Sequence, residues 1–117
     1  MVNKFPSDAS MPSKLADAIG RTRQRFLLEL PEKITTIEAI QTLIKNGDVD
    51  KDALGDLAFV THRLSGISAT VGYPEIGECA GKIHHDITKF TPSQSESLSF
   101  QIDDLLDLME DAILDEI

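Results

Sequence analysis

The chain has 117 residues, the size of one ordinary domain, with a formal charge of −9, 41% apolar residues, 5% aromatic residues and no Trp. The acidic balance argues against nucleic acid or an anionic membrane surface as partner, since both require a basic footprint. The single cysteine, Cys79, excludes an intrachain disulfide and a cysteine-based zinc site.

Met1 to Pro12 is polar, contains Pro6 and Pro12, and reads as a flexible N-terminal tail or the start of an extra helix ahead of one domain spanning 13–117. From Ser13 the apolar residues Leu15, Ile19, Phe26, Leu27, Leu30, Ile34, Ile37 and Ile44 fall near helical spacing until Asn46-Gly47 supplies a stop. Pro31 is expected to kink or split this element.

Asp48 or Asp50 can cap a second helix, in which Ala53, Leu57, Val60, Leu64, Ile67 and Val71 form one stripe ending at Gly72. Pro74 opens a third helix with the stripe Ile76, Ala80, Ile83, Ile87 and Phe90. Thr91-Pro92-Ser93-Gln94 has the form of a capping box, and Leu98, Ile102, Leu105, Met109 and Ala112 follow on a fourth helix. This last helix is rich in Asp and Glu, which reads as a solvated face. No segment alternates as a strand would, so the expected fold is all-α, an antiparallel up-and-down four-helix bundle. No apolar run approaches the roughly 20 residues of a membrane span, and the polar start and lone cysteine point to a cytoplasmic protein.

On the second helix His62 lies roughly 140 to 180° from every member of the apolar stripe, so its imidazole is expected to face solvent. Gly55, Ala58, Ser65, Gly66 and Ala69 surround it on that face, and only Phe59 is large. A helical Gly costs about 1 kcal/mol relative to Ala, so Gly55 and Gly66 call for a reason such as the close approach of another protein. A surface histidine among tolerated glycines explains the same pattern, and periodicity does not separate the two. A metal site built from His62, His84 and His85 is disfavoured, because adjacent helical residues diverge by about 100°. Cys79 reads as a small buried residue, His85 as exposed, and Arg21, Arg23 and Arg25 as lying near Gly72.

The run Thr61-His62-Arg63-Leu64-Ser65-Gly66-Ile67-Ser68-Ala69-Thr70-Val71-Gly72 resembles the phosphorylation motif of histidine phosphotransfer (HPt) domains. In that family an apolar residue at the second position after the His, and Gly at the fourth and tenth, correspond to Leu64, Gly66 and Gly72. Asn46-Gly47-Asp48 and Tyr73-Pro74-Glu75-Ile76 extend the likeness. The resemblance implies that His62 accepts a phosphoryl group through Nε2 and exchanges it with the aspartate of response-regulator receiver domains, supplied by a sensor or hybrid histidine kinase. It implies a monomeric phosphocarrier rather than an enzyme, with no cofactor of its own and with Mg²⁺ held by the receiver.

Ala58, Phe59, Gly66 and Ala69 would then form the docking surface. The family often carries Lys at the third position after the His, where this chain has Ser65, and Arg63 is a candidate substitute. A polar residue 22 positions after the His, commonly Gln, hydrogen-bonds the imidazole in the family, and here it is His84. The absent Lys also suggests an alternative, a binding module that docks a receiver or kinase without efficient transfer. Only a carrier becomes labelled by a phosphorylated receiver, and a plain helical scaffold would bind none.

Overall fold

The computed structural model describes residues 13–116, and the expected N-terminal tail lies outside them. Four helices follow in order: α1 (Ser13–Asn46), α2 (Lys51–Ile67), α3 (Pro74–Ile87) and α4 (Ser95–Asp115), the last preceded by a 3₁₀ turn at Pro92–Gln94. Helix α2 packs against α3, α3 against α4, and α4 against α1, with a looser contact between α1 and α2. This is the all-α bundle that the spacing of apolar residues implies.

The ends of the helices follow from local chemistry. Asn46-Gly47-Asp48 closes α1 with Asp48 N donating to Leu43 O (2.9 Å) and Gly47 N to Ile44 O (3.2 Å), a paired arrangement that needs the positive φ of Gly47, 74°. Gly72, at φ 100°, does the same after α2, where Tyr73 N bonds Ser68 O (2.8 Å) and Gly72 N bonds Ala69 O (3.2 Å). Regular α-helix stops at Ile67, earlier than the apolar stripe suggests, and the last turn to Gly72 is looser. Asp50 rather than Asp48 caps α2, its carboxylate accepting from Ala53 N at 2.8 Å. Before α4, Thr91 N donates to the Gln94 side chain at 3.0 Å, the half of the capping box contributed by Gln94.

Pro31 sits inside α1 without splitting it. A proline in a helix removes one N–H, here the partner of Leu27 O, but burial of Leu30, Ile34 and Ile37 holds the segments on either side to the same core. The core begins only at Phe26. Leu15, expected in the stripe, is half exposed, because the first turns of α1 project past the other helices in a molecule 62 Å long.

Along α2 the buried face is Ala53, Leu57, Thr61, Leu64, Ser68 and Val71, whereas Val60 and Ile67 sit only partly buried at its edge. Thr61 and Ser68 enter the core because each hydroxyl bonds a carbonyl one turn back on its own helix, Leu57 O and Leu64 O. Phe90, expected on the third helix, packs on the core from the connection after it.

Gln41, buried between α1 and α4, donates to Ser99 O (3.0 Å) and to Asp103 Oδ1 (2.7 Å). Gln41→Ala should leave Ser99 O without this donor and cost about 1–3 kcal/mol, read as a lower denaturation midpoint at unchanged slope. At the other end of the bundle, Arg23 Nε donates to Val71 O (2.8 Å), Phe26 stacks on Tyr73 with centroids 5.7 Å apart, and Tyr73 Oη reaches Glu116 (3.2 Å). These contacts set the height of α2 against α1, and thereby the height of His62.

Candidate functional site

Thr61 turns inward on α2, so the next residue, one-third of a turn on, turns outward, and His62 is exposed. Phe59 is 61% exposed on the same outer face, and a Cβ added at Gly55 or Gly66 would meet nothing within 4 Å. The fold therefore does not require glycine at either position. Ala69 is exposed and Ala58 half-buried, so the approach to the imidazole is lined by small side chains with Phe59 as the one large apolar group.

The two flanks of His62 differ. Toward α3, the His84 ring lies with its centroid 5.2 Å from that of His62 and tilted by 42°. His84 Nδ1 is 3.1 Å from Ala58 O, and because a carbonyl only accepts, that nitrogen carries a proton and donates. Glycines on α3 permit this closeness: a Cβ at Gly77 would lie 3.4 Å from Ser68 Cβ and 3.5 Å from Ser65 O, and one at Gly81 3.8 Å from Ser65 Cβ. Gly77→Leu should force α3 away from α2, lowering stability by about 1–3 kcal/mol and weakening nuclear Overhauser contacts between the two rings. Ser65 is half-buried in this seam, and its hydroxyl donates to His62 O (2.9 Å), so it points back along its own helix.

Toward α1, a groove of about 410 Å³ runs beside His62, with Phe26, Leu64 and Ile67 as apolar wall and Arg25, Lys33 and Arg63 among its polar residues. The Arg63 guanidinium carbon stands 5.5 Å from the centre of the Phe59 ring, a cation–π contact on this flank. Lys33 pairs with Glu29 on α1 at 3.3 Å. Sequence reasoning brought His62, Arg63, Ser65, Gly66, Ala58, Phe59, Ala69 and His84 together, and the structure places them on α2, in the turn that follows it (Ala69) or on the facing side of α3 (His84). It missed Glu29 and Lys33, and it set Arg25 near Gly72, whereas Arg25 lines the groove beside His62. Their spacing along one face of α1 was a signal for a shared face, but nothing local fixed that face at the height of His62.

Groups outside this cluster have other settings. His85 is exposed and apart from the His62–His84 contact. Burial pushes the half-buried Cys79 thiol above its ordinary value, with nearby Asp104 adding to the effect, so it is a poor nucleophile at neutral pH. Among the described residues no cluster of three or more His, Cys, Asp or Glu is arranged to hold a metal ion, and no helix is long and apolar enough to cross a membrane.

An exposed imidazole with clear space along its outer edge can attack a phosphoryl group in line, since that chemistry needs position more than covalent help from the protein. Residues 21–114 of the chain match the Hpt domain family. The chain belongs to that family. No curated protein and no solved structure matches it. The match takes in α2 and α3 whole and most of α1 and α4, and leaves outside it the first turns of α1 that project beyond the bundle. Hpt domains are phosphocarriers rather than enzymes, and work in phosphotransfer with the kinases and response regulators of two-component systems.

Proposed function

We propose that this Hpt domain carries a phosphoryl group on His62, taking it from the aspartyl phosphate of one receiver domain and passing it to another within a cytoplasmic phosphorelay. The observation that supports the reading is the exposed imidazole flanked by Gly55 and Gly66, two positions where the fold leaves space that no intramolecular contact uses. A helix weakened by glycine, without an internal reason for it, fits a surface shaped for a partner.

The step is balanced without help from a base. The lone pair of a neutral imidazole nitrogen, Nε2 by family resemblance, forms the N–P bond as the P–O bond to the aspartate breaks. The electron pair leaves with the carboxylate, and the positive charge that develops on the ring offsets part of the phosphoryl charge. The reverse step returns the group to a second aspartate. Mg²⁺ and the acidic pocket around the aspartate belong to the receiver in this scheme, and a monomer suffices.

Incubation with a receiver carrying labelled phosphate tests the proposal. Transfer should yield a phosphate label on the chain that is acid-labile and alkali-stable. Receiver binding without any such label would instead mark a docking module.

A further inference from the structure

We infer that His84, in its imidazolium form, is the cationic partner of the phosphoryl group carried by His62. The inference rests on the assignment of phosphoryl transfer to His62 and adds the group that balances the charge there.

The need for such a group follows from the residues around the acceptor. On α2, position 65 is a serine whose hydroxyl is turned to His62 O, and the Arg63 guanidinium stands over Phe59 on the α1 side. On α1, Lys33 is paired with Glu29, and Arg25 lines the groove on the flank of His62 away from α3. The ionisable side chain in ring contact with His62 is His84, at 5.2 Å between centroids.

Its Nδ1 is committed to Ala58 O, so protonation changes the other nitrogen, Nε2, from a lone pair that repels phosphoryl oxygens into an N–H that binds them. Solvent supplies the proton. Phosphorylation of His62 and protonation of His84 therefore favour one another, as linkage requires.

Other charges near His84 leave this pairing intact. From α2 the facing ionisable group is His62 itself. On α3, His85 is next in the chain and exposed, while Asp86 and Lys82 lie on the α4 side, Asp86 accepting from Gln101 (2.9 Å) and Lys82 lining a recess with Cys79 and Asp104. A neutral amide could hydrogen-bond at this position as well. An imidazole adds a charge that appears only when a proton is taken up.

The test uses the full chain phosphorylated by a receiver or by phosphoramidate. At one fixed pH, ring-nitrogen spectra of the wild type should show a larger doubly protonated fraction of His84 after phosphorylation than before it. Hydrolysis is then compared between wild type and His84→Gln, which keeps polar hydrogen bonding but cannot become cationic. Taking the ratio of half-lives cancels the acid lability common to every phosphohistidine. That ratio should rise roughly fivefold as pH falls from about 8 to about 6, the factor an exposed ionic contact supplies. A doubly protonated fraction of His84 that does not rise on phosphorylation, or a ratio independent of pH, overturns the inference while leaving His62 as carrier. No label on wild type from either donor overturns both.

Discussion

His62→Gln is expected to abolish uptake of acid-labile phosphate from a phosphorylated receiver, with transfer falling to background. The side chain is exposed and its ring contact is with the half-buried His84 rather than with the core, so the melting temperature should stay close to wild type, within the range of about 0.5 kcal/mol typical of surface changes. Glutamine retains polarity and approximate reach but offers no nucleophilic nitrogen, because its amide lone pair is delocalised. Labelling a folded His62→Gln protein with a phospho-receiver decides the matter. Persistent acid-labile label would move the acceptor elsewhere, with His84 or the exposed His85 as the remaining histidines.

Gly66→Leu should produce the second large effect, and in the opposite pattern to an ordinary core mutation. A Cβ at Gly66 meets nothing within 4 Å, and leucine is a better helix former by roughly 0.5–1 kcal/mol, so the variant should be as stable as wild type or more stable. The added branch stands one turn from the imidazole on the face where a receiver must approach. Transfer from a phospho-receiver should fall at least about tenfold, equivalent to some 1.4 kcal/mol or more in the transition state. Phosphorylation by phosphoramidate, a donor small enough to pass the leucine, should be much less affected. A stable variant with undiminished receiver transfer would show that the open space at Gly66 has nothing to do with docking.

Much of this site was legible from the order of residues because helical periodicity fixes angles around an axis. The inward Leu57 and Leu64 determine that His62 points outward, and Gly47 and Gly72 announce helix ends whose hydrogen bonds require positive φ. Periodicity failed where side chains carry their own partners. Thr61 and Ser68 read as polar and were left out of the core, yet each satisfies its hydroxyl on its own helix and takes the inward place expected of Val60 and Ile67.

Axial register between helices was also beyond reach, since it depends on contacts between residues distant in sequence such as Arg23 with Val71. That register brings Arg25, Glu29 and Lys33 beside His62. His62 and His84 are equally distant from Tyr73 along the chain, which puts them at similar heights on neighbouring antiparallel helices. The glycines that allow ring contact, Gly77 and Gly81, were visible as a pair four residues apart but carried no meaning without knowledge of which face they occupied.

Tyr73 is the only tyrosine of a chain without tryptophan, which makes the junction it occupies optically addressable. Burial pushes its phenol above the ordinary 10.0, and the hydrogen bond to Glu116 pushes in the same direction. The resulting stabilisation is present in full below about pH 10, the unfolded value, and is lost as pH rises through the higher folded value. Phenolate absorbance should therefore titrate above pH 10 in the native protein, and Glu116→Gln should lower the midpoint. Because the same ring stacks on Phe26 of α1 and follows the turn that ends α2, its emission reports directly on whether α1 and the end of α4 remain gathered at that turn. A receiver that pried α1 away while reaching His62 would announce itself in the signal of a single natural fluorophore, with no label attached.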